Sequence, residues 1–376
     1  ELSLAKLQSI GEDFKIRNND VISSLSAPEL TTISGSLDLQ DNDILETLAL
    51  PKLTTAGTIS IDDSPALTDI TLTALSSVAE KLQVVNAETL SALSLPALTS
   101  AALYVDSNAE LSSLSAPELN SAAFINILNN DKLASISLPK LTTIVPDEAD
   151  IEWILSGEHM GNPNRGLWVN NNEALDSLSL DELTSANRVA VSHNAALTTL
   201  SLAKLTTVVQ VLEYSPPPYE EIPEGSPTQY YDGDFSISGN DLLSSIAIAE
   251  LTSIAGQAYP PSGALITSWT FDKLTSVGGL SIYADNLLTF SAPYLSTINL
   301  QGLSIYSPSL TSISLPELAS IGGYFKVGTN YSSSFPAVES FSLPKLTSVG
   351  GDLQFYGDQT GATSLPENIS LSKLTS

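Results

Sequence analysis

A short motif returns along the whole chain: a leucine or alanine, a small residue or proline, one variable residue, a leucine, then threonine or serine. Its first four occurrences read Leu4-Ala5-Lys6-Leu7, Ala27-Pro28-Glu29-Leu30, Leu50-Pro51-Lys52-Leu53 and Leu72-Thr73-Ala74-Leu75. The second leucine recurs at Leu7, Leu30, Leu53, Leu75, Leu98, Leu119, Leu141, Leu183, Leu205, Leu251, Leu274, Leu295, Leu318, Leu346 and Leu374. A unit of this size cannot bury its own apolar face, so neighbouring units must stack and complete one another's core. The gaps from Leu141 to Leu183 and from Leu205 to Leu251 are each nearly twice the period and hold inserted chain.

Each unit has the same internal grammar. Alternation such as Leu37-Asp38-Leu39-Gln40 is the signature of a half-buried strand, apolar inward and polar outward. A polar corner follows (Asp41-Asn42-Asp43), then a second apolar stretch from Leu45 to Leu50, then the proline corner. Winding once per unit sets each strand beside its counterpart at a rung spacing of about 4.8 Å. The predicted fold is all-β: one continuous right-handed parallel β-solenoid over residues 1–376, leucine-rich-repeat-like, with about fifteen turns of 21–24 residues. Helix is expected at most in short turns.

The polar corner keeps its register. Asn19, Asn42, Asn108, Asn130, Asn172, Asn194, Asn240 and Asn330 share one position, and Ser64, Ala87, Asp285, Pro308 or Asp358 fill it in other turns. An amide both donates and accepts, so a stacked asparagine column would satisfy corner backbone groups that no strand pairs.

Three insertions break the rhythm at residues 145–165, 209–234 and 255–264, and all are expected on one edge. Long loops on a rigid solenoid are usual places for binding. Trp153, Tyr219, Tyr230, Tyr231 and Tyr259 are the candidate ligand-binding residues, accompanied by Asp147, Glu148, Glu220 and Glu221. Aromatic rings beside carboxylates suit a sugar, the ring stacking on its C–H face while acids accept from its hydroxyls. The plainer reading is a proline-stiffened surface flap. A second candidate is the column Tyr283, Tyr306 and Tyr356, interrupted by Gly328. Packing among these rings explains them more simply than a glycan platform does.

Charge narrows the partners. With 42 acidic against 14 basic residues, the net charge of −28 opposes nucleic acid and anionic lipid surfaces. No apolar run reaches the roughly 18 residues that span a bilayer, so no direct membrane insertion is expected in this segment. Cysteine is absent and His159 and His193 are the only histidines, which leaves little for a metal site or a catalytic triad. Two acids such as Asp38 and Asp62 could in principle hydrolyse a glycoside. Even so, no enzyme activity, cofactor or metal is expected. Thr31-Thr32, Thr54-Thr55, Thr142-Thr143 and Thr206-Thr207 raise an ice-binding reading, which the substitutions Ser76, Asn120 and Ala319 weaken.

Units such as Ser342-Leu343-Pro344-Lys345-Leu346-Thr347-Ser348-Val349-Gly350-Gly351-Asp352-Leu353 resemble the fungal GPI-anchored cell-wall-organisation proteins of the sporulation-specific family. Those in turn resemble the L domains of insulin- and EGF-type receptors. Gly278-Gly279, Gly322-Gly323 and Gly350-Gly351 are the best local marks of the likeness, which extends over essentially the whole chain. It implies an extracellular glycoprotein, held at the wall or cell surface by a lipid anchor outside this segment, with a structural role in wall integrity. The chain departs from the family in lacking cysteines and a Ser/Thr-rich tail, and it has only two sequons, at Asn330 and Asn368. Wall polysaccharide or another surface protein is the expected partner. The alternative is a carbohydrate- or protein-binding receptor or adhesin module that uses the loop-bearing edge. Both ends stop at one phase of the repeat, as expected for the ordered middle of a longer chain. End-to-end self-association into filaments is a minor alternative.

Overall fold

The computed structural model describes residues 1–146, 166–210, 233–262, 265–328, 340–356 and 368–376. Each turn contributes two faces. One carries a long strand, as in Thr32–Gln40, Thr55–Asp62, Ser77–Val85 and Ser100–Asp106. The other carries a three-residue strand, as in Ser24–Ser26, Thr47–Ala49, Asp69–Thr71 and Ala92–Ser94. All pairings are parallel and join equivalent residues, so Leu37, Ile59, Leu82, Leu103, Ile125, Leu167, Val189 and Phe235 form one inward column. The result is an all-β parallel solenoid, with no α-helix among the described residues. It has about 12 turns, slightly fewer than the fifteen motif matches. Fifteen landmarks bound fourteen intervals, and the last two of these run through residues 329–339 and 357–367, outside the described residues.

The motif leucines make the core. From Leu30 to Leu346 each is at most 1% exposed, and burial of a leucine is worth roughly 1.5–3 kcal/mol. Except at Leu274, the N–H of each donates to the carbonyl three residues earlier, as Leu30 does to Ala27 at 3.1 Å, which closes the proline corner. Farther along, aromatic rings take over the interior. Phe271 meets Trp269, Phe235 and Phe290 edge to face at 5.6, 6.1 and 6.1 Å.

The polar corner works with two adjacent residues. Asn18, Asp41, Asp63, Asn86, Ser107, Asn129, Asn171 and His193 all have φ between 46° and 57°. Asn and Asp tolerate this left-handed conformation better than most residues. The next residue points inward. Asn108, Asn130, Asn172, Asn194 and Asn240 form an unbroken ladder in which each backbone N–H and amide donates to the next Oδ1, at 2.9 to 3.3 Å. Asn42 stands apart because Ser64 and Ala87 follow it, and its buried Oδ1 has no partner. Asn19 is half-buried, and its side-chain amide donates to the Arg17 carbonyl at 2.8 Å. Asn330 and Asp358 lie outside the described residues.

Two expectations need correction. The corner position in the later turns is held by Ala284 and Ser307, not by Asp285 and Pro308. Leu287 and Leu310 donate to their carbonyls at 3.3 Å, as Leu45 does to Asn42. These turns omit the left-handed residue, so the corner arrives one residue earlier. Nor is the segment from Ala255 to Ser262 a loop insertion, since it completes the strand Ser253–Ser262. Pro260 and Pro261 lack N–H donors and sit where the pairing with Phe235–Ser238 skips register, a bulge that tolerates them.

Side chains tie each turn to the next at both remaining corners. Thr31, Thr54, Thr99, Thr142, Thr184 and Thr206 each donate Oγ1 to the carbonyl of the corresponding residue one turn back, at 2.9 to 3.0 Å. These donors are committed to the neighbouring turn. The variable residue of the motif alternates in sign, pairing Lys52 with Glu29, Lys140 with Glu118, Lys204 with Glu182 and Lys273 with Glu250 at 2.6 to 2.7 Å. Both partners are about half exposed in every pair, so each pair is worth little. Lys204→Ala is expected to shift stability by no more than about 0.5 kcal/mol, measured as the urea midpoint. A loss several times larger would mean that the column acts as one network.

Candidate functional site

In-register stacking turns the outward positions of the long sheet into straight columns. One runs Lys15, Asp38, Ser60, Gln83, Tyr104, Asn126, Trp168, Ala190, Ser236 and Tyr259. A later stretch of the same face runs Ser281, Ser304, Lys326 and Gln354.

The first stretch is a chain of local contacts. Arg17 donates Nε to Asp38 at 3.0 Å, and this hydrogen bond and the charge of Asp38 raise the guanidinium pKa. Asp38 is thus held in an ion pair with Arg17. Asp62 faces Asp41 and Asp63; burial first, then Asp63, pushes its carboxyl above the usual range. Asp38 and Asp62 therefore have different neighbours, an arginine for the one and two carboxylates for the other. Burial lowers the Lys81 pKa. Its Nζ donates to Gln83 Oε1 at 2.6 Å and lies 5.9 Å from the Tyr104 ring centre. The Tyr104 hydroxyl donates to Asp106 at 3.0 Å. Arg188 sits 5.9 Å from the Trp168 ring. Between these aromatic residues, Ala102, Phe124, Asn126 and Leu128 are buried although they occupy outward positions.

The raised Asp62 value sets a pH prediction. Folding increases the proton affinity of this carboxyl, so its charged form subtracts stability at neutral pH. Asp62→Asn is expected to raise the melting temperature by about 1 °C at neutral pH. The gain should close as pH falls through the raised folded value. A destabilised Asn variant would show that Asp62 makes a favourable charged contact.

The second stretch is richer in exposed rings. Tyr283 is 57% exposed and Tyr324 37%, while Tyr306, Lys326 and Tyr356 are half-buried. Tyr283 and Tyr306 meet edge to face at 6.0 Å. Lys326 lies 5.6 Å from the Tyr324 ring and 5.8 Å from that of Tyr356, whose hydroxyl donates to Gln354 Oε1 at 2.9 Å.

Of the residues singled out in the insertions, Tyr259 is half-buried on the long sheet, beside Ser236. Trp153, Tyr219, Tyr230 and Tyr231 lie outside the described residues. Asn368 opens the strand Asn368–Ser370. Tyr324 and Lys326, missed from sequence, carry a recognisable signal: they flank the inward Phe325 in an alternating strand. Among the described residues, no cluster of His, Asp and Glu could hold a metal ion.

No family model and no curated protein matches the chain. Two solved structures are similar in part. A leucine-rich repeat protein from Bacteroides ovatus is 11% identical, over 93% of this chain and 83% of its own, with a TM-score of 0.28. A leucine-rich cell surface protein from Faecalibacterium prausnitzii is 11% identical, over 81% and 89%, with a TM-score of 0.17. Superpositions this loose bear on neither fold nor function, and the solenoid rests on its own strand register.

Proposed function

We propose that this chain is a non-enzymatic extracellular protein of the cell wall or cell surface, with a structural role in organising the wall. The observation that carries the reading is the redundancy of its inter-turn ties. Asparagine, threonine and lysine–glutamate ladders supplement the backbone pairing and make a stiff spacer. The motif's likeness to fungal wall-organisation proteins supports the location, and the surplus of acid keeps such a surface soluble. Asn330 and Asn368 are its glycan acceptors in this reading. Surface biotinylation of intact source cells tests it: the chain should label and fractionate with the wall or surface. Recovery of unlabelled chain in the cytosol would sink the proposal.

A second reading, a recognition module, is favoured by the exposed tyrosines at the later end of the long sheet.

A further inference from the structure

The outward side chains of Ser276–Ile282, Thr297–Ile305, Phe325–Val327 and Leu353–Phe355 make one surface, together with the residues that bound these strands. Ser281, Ser304, Lys326 and Gln354 run down its middle on successive rungs. Tyr283, Tyr306, Gly328 and Tyr356 run down one side, immediately after the strands. The Tyr306, Gly328 and Tyr356 N–H groups continue the ladder to Ile282, Ile305 and Val327 at 2.9 to 3.0 Å, so these residues keep the rung spacing. Tyr324 lies on the opposite side of the middle column. Between the two sides sits Ser304, fully buried on the outward face, with no hydrogen-bond partner for its hydroxyl. Buried polar groups are rarely left unpaired. An orphan hydroxyl under exposed rings marks a place where a polar ligand atom would be stabilising.

We propose that this surface binds a neutral polysaccharide laid along the solenoid axis, its pyranose rings against Tyr306 and Tyr356. The inference rests on the recognition reading and names its ligand. Three features select the ligand. The rung spacing of about 4.8 Å is close to the length of one pyranose unit in an extended β-linked chain, so sugars and turns keep step. Gly328 has no side chain, which separates Tyr306 from Tyr356 by two rungs, about 10 Å, so the two rings fall in step with alternate sugars. The tyrosines offer ring faces to sugar C–H groups, while the Tyr306 hydroxyl, Ser304 and Lys326 offer donors that a polyhydroxylated chain can use. Lys326 is held between Tyr324 and Tyr356, so the site is ordered before binding and little is lost in fixing it. A net charge of −28 disfavours an acidic polysaccharide. A proline-rich peptide would also stack on tyrosines, but it brings no set of hydroxyls for Ser304 and Lys326.

Isothermal titration of the full chain with cellohexaose, laminarihexaose and chitohexaose tests the proposal, with oligogalacturonate and a decaproline peptide as the contrasting ligands. At least one neutral hexasaccharide should bind saturably and oligogalacturonate should not. Tyr306→Ala and Tyr356→Ala should each weaken binding by about tenfold or more, the loss expected for one stacked ring in a desolvated site. Tyr306→Phe keeps the stack and should lose less, which covers the case in which the alanine variant misfolds. Tyr259→Ala should leave affinity unchanged. No binding of any hexasaccharide, or affinity that survives loss of both rings, overturns the proposal. Binding of decaproline alone overturns it in favour of a peptide ligand. Sugar binding lost on Tyr259→Ala but kept on Tyr306→Ala would retain recognition and overturn this site.

Discussion

Phe271→Ala is expected to lower stability by about 4 kcal/mol and to split a single unfolding transition into two. Phe271 is 1% exposed and touches three other rings, from its own turn and the turns on either side. Truncation removes all three contacts and leaves a cavity that flanking strands, held in parallel register on both sides, are poorly placed to fill. In a stacked-repeat protein each turn is stabilised mainly by its immediate neighbours, so a weakened rung divides the array. Most turns before Phe235 have aliphatic interiors and keep their own contacts. Urea unfolding followed by circular dichroism reports the whole array, while fluorescence of Trp269, 5.6 Å from Phe271, is sensitive to the damaged rung. The two signals should coincide in the parent chain and separate in the variant. Coincident transitions with an unchanged midpoint would show that the aromatic rung is not where the halves are joined.

What sequence reveals about this molecule follows from what a solenoid demands of every turn. The motif leucine must be buried in each unit, so its period was plain, and with it the parallel stacking. The corner was half legible. The inward asparagine repeats as a residue type, whereas the left-handed residue before it is Asn, Asp, Ser or His and repeats only as a backbone conformation. The Lys–Glu column was visible in Leu-Pro-Lys-Leu and Ala-Pro-Glu-Leu, but alternation in sign declares itself only once the turns are laid side by side. Proline pairs usually end strands, and Pro260-Pro261 therefore suggested a loop where the chain forms a bulge. Outward chemistry was the least legible. Tyr283 and Tyr306 stood out as a column, but Tyr324 and Lys326 join it only through the sheet register that sets Lys326 beside Ser304. Neighbour relations on the sheet, and hence any site built from them, depend on such registers. The candidates placed on the insertions, apart from Tyr259, fall outside the described residues.

The asparagine ladder offers the other large effect. Asn172→Ala is expected to destabilise the chain by about 3 kcal/mol, against a few tenths for Asn19→Ala at the half-buried end of the column. The Asn172 amide donates to the carbonyls of Ile127 and Asn170 at 3.0 and 3.1 Å and to Asn194 Oδ1 at 3.2 Å. Its own Oδ1 accepts from the backbone N–H and amide of Asn130 at 3.3 and 3.2 Å. Removing it leaves buried donors and acceptors in several turns without partners, and no water reaches a corner that is fully buried. Shape is not the difficulty, because Ala87 already occupies this position in its own turn. The Ala87 N–H still finds Asn108 Oδ1 at 3.0 Å, so an alanine is tolerated where the next turn supplies the acceptor. Asn172→Ala keeps that bond to Asn194 and loses only what its own side chain gave, so the measured difference isolates the side-chain rungs. Denaturant midpoints give the energy, and amide exchange at Asn130 gives the location, where protection should fall before that of distant turns. A uniform fall in protection along the chain would mean that the ladder stabilises the solenoid as one unit. A loss under about 1 kcal/mol would mean that the backbone pairing alone holds the corner.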